Sequence, residues 1–190
     1  MDPFRAELQE LLEMGVVLPL RKPDNQGRLI FIIRGNLHDP RKHKIPDLAK
    51  ICILVLETMM KYYPAGSIYG YSVFVDTNNL FIRQILQFTP FVLRNMVHTF
   101  QKCYPMRYHK IVVFNTPKAF EVIIEIMKTF MSEKLKNRFH VYSHKHCFED
   151  IPAHILPVEY GGTDGTLEEL TVHWKKLIEK NRDWITKMTE

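Results

Sequence analysis

Cysteine is scarce: the chain has three, an odd number, spread out at Cys52, Cys103 and Cys147. So scattered a set argues against a disulfide framework and for a reducing compartment. Long apolar runs are missing too, since no uncharged stretch approaches the ~18 residues of a membrane span. The opening MDPFRAELQELLEMG carries acidic residues throughout and no long apolar core, so it reads as neither a signal nor a transit peptide. A cytosolic protein is expected. With no internal repeat and no low-complexity linker, one domain is the simplest reading for a chain of 190 residues.

Catalytic signatures are equally thin. Gly161-Gly162-Thr163-Asp164-Gly165-Thr166 is glycine-rich, but it lacks the lysine and the strand-then-helix order of a phosphate loop. Asp76 ends an apolar run, yet the further oxygen ligands of a calcium loop are absent, so it reads as a structural cap. His144-Lys145-His146-Cys147 is the one dense cluster of nucleophilic or ligating side chains. It supplies part of a zinc site at most, and Cys103 or His98 would have to complete it. No acid–base pair stands out. The expectation is a protein that is not an enzyme and holds neither a metal nor a cofactor.

What the chain does have is apolar pattern and placed charge. Residues 111–114 (Ile-Val-Val-Phe) read as a strand buried on both faces. Thr116 is placed as N-cap and Pro117 as first helical residue of the helix that follows. That helix carries Phe120, Ile123, Ile124, Met127, Phe130 and Met131 at spacings of three and four. A second strand, residues 139–142, completes a strand–helix–strand unit, and the class is α/β with a mainly parallel sheet covered by helices.

Elsewhere, Asp2-Pro3 is placed at the start of a short helix through Leu8, Leu11 and Leu12, stopped by Gly15. Residues 28–34 and 69–76 are expected as strands. Asp47 is expected to cap a helix over residues 48–62. Residues 80–88 are read as a short helix, and the next helix runs to about residue 100 with Phe91, Val92, Met96 and Phe100 inward. His38, in His38-Asp39-Pro40, is assigned to a surface turn. Thr166-Leu167-Glu168-Glu169 is a capping box, and the final helix it opens is expected to bury Leu170, Trp174, Leu177, Ile178 and Trp184.

The net charge of +5 is modest, so its placement carries the argument. Lys102, Arg107, His109 and Lys110 form one cluster, and Lys128, Lys134, Lys136 and Arg138 another. These are either solvated faces or a patch for anionic lipid headgroups. No recognition helix, zinc finger or RNA-binding signature accompanies them, so nucleic acid is not expected as a partner. The sheet is read as lined by Tyr71, Phe74, Val75, Ile111, Val113 and Phe114. Nine methionines and twelve phenylalanines suit a deformable ligand cavity as well as an ordinary core.

The order YPMRYHKIVVFNTP, then a helix ending FMSEKLKNRFHVY, then ILPVEYGG resembles the CRAL-TRIO lipid-binding family, and within it the α-tocopherol transfer and retinaldehyde-binding branch. Weaker similarity extends over residues 11–184. The resemblance implies a CRAL-TRIO-like sandwich in which a mobile gate helix closes a hydrophobic pocket over the sheet floor. It divides the chain into residues 1–20, the last of the family's N-terminal helices, and residues 21–190, the lipid-binding domain.

The resemblance places pocket positions at Cys52, Leu56, Tyr71, Val75, Phe88, Met96, Thr99, Phe100, Met106, Tyr108 and Ile111. The gate falls on residues 119–131, and a phosphoinositide headgroup site on Arg107, His109, Lys134 and Arg138. Its ligand would be a small hydrophobic lipid such as a tocopherol, retinoid or related isoprenoid, held by a monomer that meets anionic endosomal or other internal membranes peripherally. A phosphoinositide-sensing module of the same fold is the alternative. His109 stands where a permanent cation is expected, so headgroup affinity is expected to rise on acidification near pH ~6.5.

Overall fold

Four of the short apolar runs become neighbouring strands: β2 (Leu29–Arg34), β3 (Tyr71–Asp76), β4 (Tyr108–Phe114) and β5 (Phe139–Tyr142). They lie side by side in chain order, each parallel to the next, in a computed structural model that describes residues 4–104, 106–142 and 147–189. A fifth strand, β1 (Val17–Pro19), joins antiparallel to β2, with Val17 opposite Ile33 and Pro19 opposite Phe31. Proline is tolerated there because β1 is an edge strand and the missing donor costs no ladder bond.

The helices are α1 (Ala6–Glu13), α2 (Ile45–Tyr62), α3 (Gly66–Tyr69), α4 (Ile82–Ile85), α5 (Pro90–His98), α6 (Lys118–Thr129), α7 (Glu133–Lys136), α8 (Leu167–Lys180) and α9 (Arg182–Thr189). Successive parallel strands are neighbours, and such crossovers are right-handed, so α2, α4 with α5, and α6 with α7 fall on one face of the sheet. Strand residues alternate between the faces. Phe31 and Ile33 turn toward those helices, whereas Ile30 and Ile32 turn away. On the far face Phe148 stacks on Phe74 at 4.8 Å and meets Phe114 edge-on at 5.3 Å, and Tyr160 adds a further edge contact to Phe114 at 6.0 Å.

α1 and β1 share the main core. Leu8, Leu11, Leu12 and Leu18 belong to the cluster that holds Val55, Phe74 and Trp174. Gly15 turns the chain between α1 and β1 at φ +63, and a side chain there would strike the Arg34 guanidinium and Thr171. Arg34 uses that closeness, donating to the carbonyls of Gly15 at 2.9 Å and Met14 at 2.6 Å. Trp174 of α8 is fully buried and donates its indole N–H to Pro19 O at 2.7 Å, which ties α8 to the sheet edge.

Several expectations need correction. Phe74 and Phe114 do not face the helices of the cavity side: they are register partners of Ile32 and Tyr142 on the opposite face. The helix expected over residues 80–88 is the four-residue α4. α2 begins at Ile45 behind Lys44, and Asp47 sits within its first turn, accepting from Lys44 N at 3.0 Å instead of capping from outside. Pro117, not Thr116, precedes the first residue of α6. The last helix divides at Asn181, so Trp184 lies on α9 with Lys61 over its ring at 4.3 Å.

His38 is buried and not a surface residue, because two glutamines from α4 and the segment after it fasten its loop. Phe91 is 72% exposed, not inward. The Asp2-Pro3 cap and the His144–His146 part of the zinc candidate lie outside the described residues. Among the described residues no three His, Cys, Asp or Glu side chains gather to hold a metal.

Candidate functional site

Strand register builds the floor of a cavity. Phe31 pairs with Val73, Val73 with Ile111 and Ile111 with Phe139, so four apolar side chains form one row across β2 to β5. A second row runs Ile33, Val75, Val113. Each row is spaced at strand separation and faces the crossover helices. The walls come from Ile45, Leu48, Ala49, Cys52 and Leu56 of α2, Leu80 and Phe88 around α4, Met96 and Val97 of α5, and Phe120, Met127, Met131 and Leu135 along α6 and α7. Together they enclose about 210 Å³, and the wall facing that space is apolar.

Of the pocket positions proposed from the sequence, Cys52, Leu56, Val75, Phe88, Met96, Phe100, Tyr108 and Ile111 line this cavity. Phe100 lies in a single π-helical turn, Thr99–Cys103, that widens the chain after α5. Tyr71, Thr99 and Met106 are not among the lining residues. The Tyr71 ring is fully buried against Gly66 of α3, and Met106 packs on the main core, where its sulfur accepts the Tyr108 hydroxyl at 3.5 Å. Of the residues expected to form a gate, Phe120, Met127 and Met131 reach the cavity, while Ile123, Ile124 and Phe130 pack in the neighbouring apolar cluster. Phe31, Ile33, Val73 and Phe139 escaped the sequence reading. The signal for them was the period-two pattern, usable only once the strands were known to pair in register.

Burial pushes the Cys52 thiol up to about 12 and also raises the Tyr108 hydroxyl. Tyr104, packed against the main core, donates to Glu57 of α2, and burial likewise raises its pKa.

Beside α6 lies an apolar surface open to solvent. Phe81, Ile82, Leu86, Phe91 and Val122 are each more than 60% exposed, and α4 and α5 both pack on α6. α4 is too short to bury all its neighbours: Gln84 and Ile85 take the inward positions and leave Ile82 and Leu86 outside. Arg83, Arg94 and Lys118 are exposed cations on the same three helices.

The basic residues divide. Arg28, which the sequence reading had not included, donates to His109 Nε2 at 2.7 Å and pairs with Asp24 at 2.6 Å. Arg138 donates to Tyr108 O at 2.5 Å, and Arg107 to Ile68 O at 3.3 Å. Lys134 stands exposed on α7. Because a guanidinium can only donate, His109 meets Arg28 as a neutral acceptor. Burial, with Arg28, Lys110 and Arg138 nearby, holds its pKa below the ordinary histidine value, and Asp24 opposes this only in part. The expected titration near pH ~6.5 is therefore displaced to more acidic pH.

Among the described residues no helix is long and apolar enough to cross a membrane. A family model, the CRAL/TRIO domain, matches residues 13–162. The alpha-tocopherol transfer protein-like protein of Mus musculus is 26% identical over 175 residues, covering 91% of this chain and 50% of that protein. Its Homo sapiens counterpart is 27% identical over 180 residues, at 94% and 52% coverage. Clavesin-2 of Rattus norvegicus is 25% identical over 157 residues, at 82% and 48%. The chain thus spans about half the length of the curated relatives it matches. The crystal structure of Sfh5 superposes with a TM-score of 0.63 at 15% identity, covering 82% of this chain and 59% of that one, a likeness of fold.

Proposed function

The chain belongs to the CRAL/TRIO family, and from that premise we propose that it binds a small hydrophobic lipid in the cavity beneath α6 and carries it to or from anionic membranes. The apolar cavity floored by the Phe31-Val73-Ile111-Phe139 row is the observation that carries this reading. Apolar surface removed from water contributes about 25 cal/mol per Å², so a lipid is retained in solution and released where bilayer replaces water. Met127 and Met131 on the gate side give that wall a deformable, unbranched surface. The ligand would be a tocopherol, a retinoid or a related isoprenoid, and the protein would work in the cytoplasm, peripherally on endosomal or other internal membranes.

Docking follows from the surface next to the gate. Phe81, Ile82, Leu86 and Phe91 would enter the headgroup boundary while Arg83, Arg94 and Lys118 meet anionic lipid, bringing α6 to the bilayer and lowering the cost of its opening. Arg107, His109, Lys134 and Arg138 remain the proposed phosphoinositide contacts, now joined by Arg28. The test is transfer of a fluorescent tocopherol or retinoid analogue between vesicles. Protein-dependent, gradient-driven transfer, accelerated by anionic acceptor lipid, is expected; none at any lipid composition would overturn the reading. The Arg28–His109 cluster also favours a phosphoinositide-sensing module, which would bind anionic vesicles without moving cargo.

A further inference from the structure

Among the described residues, the polar groups around the cavity are committed to protein partners or are weak ones. Among the described lining residues, only Cys52, Thr77 and Tyr108 carry a thiol or hydroxyl, and the sulfurs of Met96, Met127 and Met131 are weak acceptors at most. Thr77 donates its hydroxyl to Phe114 O at 2.8 Å, beyond the sheet end. The Tyr108 hydroxyl is directed to the Met106 sulfur at 3.5 Å, and Met106 is not a lining residue. The Cys52 thiol is at most a weak donor. Gly35 lines the cavity with backbone, and its carbonyl already accepts from His38 Nδ1 at 2.7 Å. The floor strands spend their backbone groups on one another. Tyr71 and Thr99, the other side chains that could have met a ligand hydroxyl or aldehyde, are not in the wall.

A buried hydroxyl, carbonyl or carboxylate without a partner is strongly unfavourable, and among the described residues this wall offers it no strong partner. We infer that the cavity takes only the hydrocarbon part of its lipid, tail first, and leaves the polar end at the opening, in water or in headgroups. The inference rests on the carrier reading above and narrows it. Ligands are then selected by the length and shape of the chain, and the chemistry of the head is nearly irrelevant to affinity. A lipid whose polar group must be enclosed is a poor ligand, whereas a plain alkane of the same length is a good one.

Hexadecane, hexadecanol and hexadecanoic acid test this, each used to displace an apolar fluorescent dye from the full chain below the concentrations at which they aggregate. Ala49→Phe, which fills the cavity, identifies the part of the dye signal that comes from it. The expected result is three dissociation constants within about threefold of one another, all tightening as two carbons are added to the chain. Each added methylene contributes roughly a fourfold gain when fully buried, so the chain-length effect exceeds the head effect. A preference of tenfold or more for the alcohol or the acid over the alkane overturns the inference while leaving the carrier reading intact. Collapse of that preference in Tyr108→Phe or Cys52→Ala would show that those groups turn inward to hold the head. Failure of all three compounds to displace the dye overturns this inference, and a dye signal unchanged in Ala49→Phe, showing that the cavity takes no apolar ligand, overturns the carrier reading with it.

Discussion

Gln87 and His38 face each other at 3.2 Å between the loop after β2 and the segment that joins α4 to α5. The Gln87 amide nitrogen donates to Pro40 O at 3.0 Å and His43 O at 2.9 Å, which fixes its oxygen toward the imidazole. Gln84 adds two bonds of its own, to Asn36 O at 2.9 Å and His38 O at 2.8 Å. These side chains hold the residues on which both the cavity wall, at Phe88, and the exposed apolar surface, at Leu86, depend.

Gln87→Ala is accordingly expected to destabilise the fold by about 1 kcal/mol, the cost of leaving part-buried acceptors unpaired. Chemical denaturation measures it directly. A loss below about 0.5 kcal/mol would mean that water replaces the amide.

His38 makes stability depend on pH. Burial is the largest influence and pushes its pKa down, with His43 adding to this, while the Gly35 and Gln87 oxygens, which only the imidazolium can satisfy together, and the Asp39 carboxylate act the other way. Unfolded, it titrates near the ordinary ~6.5. As pH falls below that value the unfolded chain takes the proton first, so stability declines from about pH 6.5 downward until the folded-state value is passed. His109 and His173 are lowered as well and contribute in the same direction. Thermal melts from pH 8 to 5 should show this decline, and a flatter one in His38→Gln.

Filling the cavity should separate binding from folding. Ala49 on α2 is a lining residue, and Ala49→Phe is expected to abolish lipid binding at a cost of about 1–3 kcal/mol for the crowding it imposes. Retained binding with an unchanged fold would place the ligand elsewhere.

Ile82→Asp with Leu86→Asp addresses the docking surface. Both positions are largely exposed, at 61% and 71%, so stability should move by no more than about 0.5 kcal/mol. Transfer to vesicles should fall at least tenfold while lipid affinity in solution stays the same. Equal transfer rates would remove this face from the mechanism.

The β2, β3, β4 and β5 strands, α6 and the Thr166–Glu169 capping box were legible in the sequence because each is a local pattern: a short apolar run, a three-and-four spacing, a cap three residues from its partner. What could not be read there depends on distant residues. β1 is three residues long, ends in proline and exists because β2 offers an edge. His38 looked like a turn residue until Gln87, distant in sequence, closed over it. Phe74 and Val75 are both apolar neighbours on one strand, and only register decides that Val75 meets the cavity and Phe74 meets Phe148. Phe91 fits a helical stripe, but α5 presents it to solvent beside α4.

The basic edge yields a pH prediction of its own. His109 accepts from Arg28 while neutral, and its proton uptake is displaced below the ordinary histidine value. Cosedimentation with phosphoinositide-containing vesicles should therefore be nearly constant from pH 8 to about 6.5. It should rise severalfold only at lower pH, one added charge near the surface being worth about 1 kcal/mol. His109→Gln should remove the rise. A midpoint at or above the ordinary value would contradict the Arg28 contact.

Native mass spectrometry of the purified chain, followed by extraction into organic solvent, decides whether the cavity holds a lipid. The account predicts a discrete added mass of a few hundred daltons that extracts into the organic phase and is absent from Ala49→Phe. A clean unliganded mass after exposure to a lipid-rich extract, in wild type and variant alike, would contradict it.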